Sequence, residues 1–306
     1  MPNSTLVQID NVQLTLSNLE KIFYTSTNFT KAQVIDYYSR IAPFLLPHLL
    51  GRPLTLKRYP NGAEAKFFYQ KQCPAFRPNW VATVPVWSEG KNKNIDFCLV
   101  QDLASLIWAV NLAAIELHTS LSLAEDTLRP TLLVFDLDPG HPATIVQCAE
   151  VALILKKVLE DNHLQSFPKT SGSKGLQIYV PLNTETANYK QTKEFAHGIA
   201  RLLEQQYPSL VVSKMRKFLR KGKIFIDWSQ NDNHKTTVCV YSLRAKKYPT
   251  VSTPVTWEEV EKAYKEQNST QLSFTTDQVL ERVQRIGDLF APLLTLKQEI
   301  SNIGSK

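Results

Sequence analysis

An apolar run, Leu132-Leu133-Val134-Phe135, ends in Asp136-Leu137-Asp138-Pro139-Gly140. Large apolar residues in unbroken succession describe a strand covered on both faces. A carboxylate at the end of such a strand is costly unless it is paired or bound to a metal. Side chains alternate along a strand, so Asp136 and Asp138 share one face and Leu137 takes the other. Two carboxylates that close repel each other and make a seat for a hard divalent cation. For an isolated Asp-x-Asp the commoner outcome is a strand closing in an Asp-Pro-Gly turn, which Asp138-Pro139-Gly140 also suits. The metal reading therefore needs further parts elsewhere in the chain.

A third acidic group stands in a comparable setting. Asp227 is the one carboxylate in Ile224-Phe225-Ile226-Asp227-Trp228, directly after Lys214–Lys223, where six of ten residues are basic. A basic run is usually a solvated face, but here it adjoins an apolar strand bearing an acid. Three carboxylates can hold two Mg²⁺ or Mn²⁺ ions, one activating an attacking hydroxyl and both neutralising a triphosphate. The basic run would then track a nucleic-acid backbone. Lys169-Thr170-Ser171-Gly172-Ser173-Lys174-Gly175 lies between these segments and precedes a strand, Leu176–Leu182, so it is not a P-loop. Its small residues allow a concave nest of backbone N–H groups, with Ser171 adding a donor and Lys174 a charge; the alternative is an ordinary polar turn.

The 306 residues suffice for a substantial core in one large domain or two lobes. Net charge is +7 and the pI about 9.1, an excess that matters because it is concentrated. Cys73, Cys98, Cys148 and Cys239 are widely spaced with no Cys-x-x-Cys, so neither a zinc ribbon nor a disulfide framework is expected. With no basic leader before an apolar run and no membrane-length apolar segment, the expectation is a soluble protein of a reducing cytoplasm.

The N-terminal part predicts a hairpin around Val12, Leu14 and Leu16, then a helix whose capping box is Thr30 and Gln33. Lys31 would stand in that helix's first turn, where free N–H groups favour an anion, and Lys21 could complete a phosphate site; two solvated lysines are the commoner outcome. Pro53–Tyr59 reads as a strand carrying Lys57 and Arg58, returning after a turn through Lys66–Lys71, whose consecutive rings Phe67, Phe68 and Tyr69 cannot all face a core. At least one exposed ring beside basic residues would suit base stacking. Further expected elements are a strand over Ile95–Val100, a buried helix over Leu103–Leu117 ending at His118, and a helix from Pro142 to about Leu159. An amphipathic helix follows over Asn188–Gln206, then a strand over Thr236–Leu243 leading to Arg244, and helices over Trp257–Gln267 and Thr276–Leu289.

Taken in order, these motifs resemble the polymerase domain of bacterial ATP-dependent DNA ligase D, of the archaeo-eukaryotic primase superfamily, which works in non-homologous end joining. The resemblance runs from about Leu14 to Trp257. Its most specific pieces are Asn18-Leu19-Glu20-Lys21, Leu56-Lys57-Arg58-Tyr59-Pro60-Asn61-Gly62, Phe68-Tyr69-Gln70-Lys71, Glu116-Leu117-His118, Phe135–Gly140, Thr170–Leu176, Lys223–Trp228 and Tyr241-Ser242-Leu243-Arg244-Ala245.

The resemblance implies that Asp136, Asp138 and Asp227 are catalytic and bind two Mn²⁺ or Mg²⁺ ions. It implies that His118, Ser171, Lys174 and Arg244 serve the incoming nucleoside triphosphate. Lys21 and Lys31 would grip the 5′-phosphate at a break or gap, and Lys57, Phe68, Tyr69 and Arg220 would contact primer and template DNA. Gln177 stands where the family usually has histidine in the nucleotide site; glutamine cannot become a cation, so nucleotide affinity or ribose preference could differ. The stretch between His118 and Asp136 is also shorter than usual.

The implied function is a DNA-directed nucleotidyltransferase that extends primer 3′-OH ends at double-strand breaks or gaps, preferring ribonucleotides and working with a Ku-like end-binding protein and a DNA ligase near the nucleoid. The implied fold is mixed α/β with α+β character, two sheets flanked by helices and the active site between them. One primase-polymerase domain is expected over 1–306, with a 5′-phosphate-binding part at 1–60, a catalytic core at 95–245 and a helical tail at 255–306. Two alternatives are a catalytically inactive end-binding module and a metal-dependent glycosyltransferase using Asp136 and Asp138. The first leaves three carboxylates near DNA unexplained; the second leaves the basic run unexplained.

Overall fold

A computed structural model describes residues 4–300, with a mixed α/β architecture of six α-helices and several sheets among them. The chain forms two compact units. The first takes in the chain up to Ser120 with Thr236–Val251 and Thr275–Gly287; the second takes in Leu121–Lys235, Ser252–Phe274 and the chain from Asp288 on.

The first unit is built on a six-stranded sheet. Its main path runs Thr237–Val238, Ala114–Thr119, Leu54–Arg58, Lys93–Cys98 and Thr83–Ser88, and Phe68–Gln70 pairs with Leu54–Arg58. The helix Lys31–Leu49 begins as expected: Thr30 Oγ1 accepts from the Gln33 N–H, and the Gln33 side chain accepts from the Thr30 N–H at 2.8 Å. Val34, Tyr37, Tyr38, Ile41 and Leu45 are its buried stripe.

The helix expected over Leu103–Leu117 divides. It ends at Asn111, Ala113 takes φ +64°, and Ala114–Thr119 is a strand buried at every position. A short apolar run fits a covered strand as well as a buried helix, and periodicity alone does not separate them. His118 is thus a strand residue. The expected strand over Lys66–Lys71 is only Phe68–Gln70, and Phe67, Phe68 and Tyr69 are 48%, 45% and 56% exposed. Cys73 and Cys98 form a disulfide, contrary to the expectation of no disulfide; the Cys73 N–H donates to the Asp96 carbonyl at 2.6 Å, which draws the two segments together.

The second unit holds a five-stranded sheet in the order Phe167–Thr170, Leu176–Pro181, Leu132–Pro139, Ile224–Asp227, Val211–Val212. All neighbours are antiparallel except the last pair. Leu133, Phe135 and Leu137 point to one face and share a core with Cys148, Val151 and Leu155 of the helix Ile145–Asp161 and with Phe195 and Ile199 of the helix Tyr189–Gln206. That helix starts at Ile145 rather than Pro142 because Thr144 supplies the N-cap, with Gln147 closing the box. The tail helices are Trp257–Lys265 and Thr276–Ile286, one in each unit; residues 301–306 of the expected helical tail lie outside the described residues. Among the described residues no helix is long and apolar enough to cross a membrane.

Candidate active site

Register sets one polar row across the second unit's sheet. Lys169 pairs with Gln177, Gln177 with Asp136, and Asp136 with Asp227. Directly opposed residues on adjoining strands project to the same face, so these four side chains line up on the face opposite Leu133, Phe135 and Leu137. Burial, then the negative charges of Asp138 and Asp227, push the Asp136 carboxyl up to about 7, against a hydrogen bond from Gln177 and the charge of Lys169. Asp138 is on the same face, two residues further on and exposed.

Asp227 is engaged locally. Its Oδ1 accepts from the Ser229 N–H at 3.0 Å and the Ser229 hydroxyl at 2.6 Å, and its Oδ2 accepts from Gln230 Nε2 at 2.8 Å. Among the described residues no three His, Cys, Asp or Glu side chains form a group that could hold a metal ion. The local chemistry nonetheless suits a cation. Asp136, Asp138 and Asp227 offer only oxygen donors, the preference of Mg²⁺ and Mn²⁺, and the half-buried Asp136 carboxyl carries repulsion that a bound cation would relieve.

The Ser171–Gly175 loop packs on the Asp136 strand. A Cβ on Gly175 would stand 2.0 Å from the Leu137 carbonyl oxygen, so only glycine lets the loop come this close. Ser171 is buried, with its Oγ accepting from the Ser173 and Gly175 N–H groups at 3.2 Å, while Lys174 is exposed. Arg220 ends a 3-10 turn, Lys217–Arg220; its guanidinium lies 3.6 Å from the centre of the Phe225 ring and donates to the Met215 carbonyl at 2.7 Å.

In the first unit the centre is Glu116, which motif reading quoted but gave no role. It is fully buried and meets Lys57 Nζ at 3.3 Å, His118 Nε2 at 3.0 Å and Arg244 Nε at 3.3 Å, and it accepts from the Tyr59 hydroxyl at 3.0 Å. Burial alone would raise its pKa, but the His118 hydrogen bond and the charges of Arg244, His118 and Lys57 hold it well below the usual carboxylate range. The one sequence signal was an acid inside the apolar run Ala114–Leu117. Lys57 also sits 4.2 Å from the Phe67 ring centre, and the Tyr69 and His118 rings meet edge-on at 5.9 Å. His118 and Arg244 therefore share one carboxylate, whereas Ser171, Lys174 and Gln177 belong to the second unit.

Lys21 and Lys31 line a cavity of about 250 Å³ with Arg58, Ser17 and Asn111. Lys31 is buried and donates to the Ser17 carbonyl at 2.6 Å and to Asn111 Oδ1 at 2.7 Å. Burial, with Lys21 and Arg58 nearby, lowers its pKa to about 8. Arg58 is the cation that sequence reading left out of this group.

Residues 30–290 match the family described as LigD, primase-polymerase domain. The chain belongs to that family. LigD primase-polymerase domains are nucleotidyltransferases. Over 280 residues the chain is 40% identical to the multifunctional non-homologous end joining protein LigD of Mycolicibacterium smegmatis, covering 91% of this chain and 36% of that protein. Against the multifunctional non-homologous end joining DNA repair protein LigD of Mycobacterium tuberculosis it is 39% identical over 289 residues, with 92% and 37% covered. It thus spans little more than a third of the length of these curated relatives. The polymerase domain from Mycobacterium tuberculosis Ligase D, solved in complex with DNA, is similar at 37% identity with a TM-score of 0.84, covering 92% of this chain and 98% of that one.

Proposed function

We propose that this LigD primase-polymerase domain is a template-directed nucleotidyltransferase of non-homologous end joining, extending primer 3′-OH ends at breaks or gaps with nucleoside triphosphates, ribonucleotides preferred. The observation that carries this reading is the opposition of Asp136 and Asp227 across adjoining strands, with Asp138 on the same face. Asp136, Asp138 and Asp227 are the residues that would hold Mn²⁺ or Mg²⁺. When bound, such ions lower the pKa of an attacking hydroxyl and neutralise triphosphate charge.

The chain's own groups position the reactants. Ser171 and Lys174 bind phosphate oxygens, and Lys174, exposed at its loop, is free to swing onto them. His118 and Arg244, both oriented by Glu116, face nucleotide groups, and Gln177 orients Asp136. Lys57, Phe68, Tyr69 and Arg220 contact primer and template, the rings by stacking on bases. Lys21 and Lys31, with Arg58, take the 5′-phosphate. Its partners would be DNA carrying that phosphate, a Ku-like end-binding protein and a ligase, at the nucleoid.

The test is extension of a labelled primer on gapped DNA with a downstream 5′-phosphate, in Mn²⁺ with ribo- or deoxyribonucleotides. Wild type should extend, and Asp138→Ala should not. No extension by wild type, or undiminished extension by Asp138→Ala, sinks the polymerase reading. One observation favours the second reading, an inactive end-binding module: both Asp227 oxygens are already engaged by Ser229 and Gln230. Tight binding of gapped DNA without extension would select it.

A further inference from the structure

Lys169 is wholly buried, although it opens the segment whose small residues allow either an anion nest or an ordinary polar turn. Its Nζ donates at 2.6 Å to Gln177 Oε1 and at 2.6 Å to Ser252 Oγ, and stands 5.6 Å from the centre of the Tyr179 ring. The charge of Lys169 also acts on the Asp136 carboxyl; burying an ammonium costs several kcal/mol unless it is well matched, so its place beside this carboxylate calls for a use.

Register supplies one. Lys169, Gln177 and Asp136 are successive members of the row across the sheet. A carboxamide has one acceptor and one double donor at opposite ends. With Oε1 taken by Lys169, the Gln177 NH₂ is the end left for Asp136, its partner in the register, and a hydrogen bond from Gln177 is among the influences that lower the Asp136 pKa. Ser252 is held in turn, donating to the Thr170 carbonyl at 3.1 Å while accepting from Lys169. Without the ammonium the amide could turn over and present its oxygen to the Asp136 carboxylate.

We propose that Lys169 is a positioning residue: by fixing the Gln177 carboxamide it aims the amide N–H at Asp136 and holds that carboxylate ready for a divalent cation. This rests on the reading of Asp136 as a cation ligand. Outer hydrogen-bond partners of metal ligands typically change metal affinity by 10–100-fold when removed.

The experiment measures Mn²⁺ binding by protein free of DNA and nucleotide, following the paramagnetic resonance signal of unbound Mn²⁺. Wild type should bind and Asp136→Asn should not. Lys169→Met and Gln177→Leu should each weaken binding by roughly tenfold, and the double variant no further, because the two act as one chain. Gln177→His should bind close to wild type, since a neutral imidazole accepts at one nitrogen and donates at the other. That rescue separates positioning from folding, should Lys169→Met fold poorly. If Lys169→Met and Gln177→Leu bind as tightly as wild type while Asp136→Asn does not, or if Gln177→His is as weak as Gln177→Leu, the positioning role is overturned and the cation site stands. If wild type shows no Asp136-dependent binding, both fall.

Discussion

Asp136 and Asp227 stand directly opposite each other on adjoining antiparallel strands, and Gln177 is the partner on the other side of Asp136. Burial first, then Asp138 and Asp227, raise the Asp136 carboxyl from an ordinary 3.8 to about 7. A pKa raised by folding means the fold favours the protonated form. That share of stability is full below pH 3.8 and is lost as the pH rises through about 7. In the presence of a chelator, the melting temperature should therefore fall more steeply over this window in wild type than in Asp136→Asn, which cannot ionise there. Mn²⁺ should restore wild type selectively, because a ligand of the native state stabilises it. Parallel pH profiles for the two proteins would refute the repulsion.

Gly175 touches the other end of the same arrangement. Its Cβ position lies 2.0 Å from the Leu137 carbonyl oxygen, between the two aspartates of the strand. In Gly175→Ala, backbone has to give way, at about 1–3 kcal/mol for an overpacked site. The displaced segment is the Ser171–Lys174 loop, so KM for the nucleoside triphosphate should rise while affinity for gapped DNA stays near wild type. Calorimetric unfolding and primer-extension kinetics check both halves; an unchanged KM would detach the loop from nucleotide binding.

What could be read from the sequence was what is local. The Thr30–Gln33 capping box and the Asp136–Asp138 alternation depend on neighbours within a few residues, and each stands as read, while the strand read over Ile224–Trp228 ends one residue sooner, at Asp227. Lys169 and Glu116 were quoted within motifs and given no role, because their meaning comes from register between strands distant in sequence: Lys169 opposite Gln177, and Lys57 opposite Glu116. The same holds for Cys73 and Cys98, joined across 25 residues. The boundary at Ala113 was hidden by a run whose apolar pattern suits helix and buried strand alike.

Glu116 gathers Lys57, His118 and Arg244 around one buried carboxylate. Removing it leaves cations buried without their counter-charge, so Glu116→Ala should cost about 3–5 kcal/mol, and Glu116→Gln should also destabilise despite its similar shape. Because folding holds the Glu116 pKa below its ordinary 4.5, its stability contribution is present above that pH and is lost as the pH falls below it. Acid unfolding of wild type should therefore begin with a loss that Glu116→Gln does not show. Urea titrations of both proteins at pH 7 and pH 4 measure it, and equal pH dependence would remove Glu116 from its central place.

Lys31 is the buried member of the cavity it shares with Lys21 and Arg58, and burial with those two charges brings its pKa to about 8 from an ordinary 10.5. A phosphate monoester in that cavity pairs with the protonated lysine, so binding favours the charged form and weakens as Lys31 loses its proton. The preference for gapped DNA with a 5′-phosphate over the same DNA without it should shrink as the pH rises through about 8, whereas an ordinary lysine would keep it to about 10.5. Lys31→Ala should show a small preference that no longer varies over this range, and Lys21→Ala with Lys31→Ala should abolish it while binding to unphosphorylated gaps persists. Fluorescence anisotropy at constant ionic strength is the measurement, since phosphate contacts are strongly salt-dependent. Equal loss on both DNAs would mean that the two lysines hold the duplex generally rather than its 5′ end.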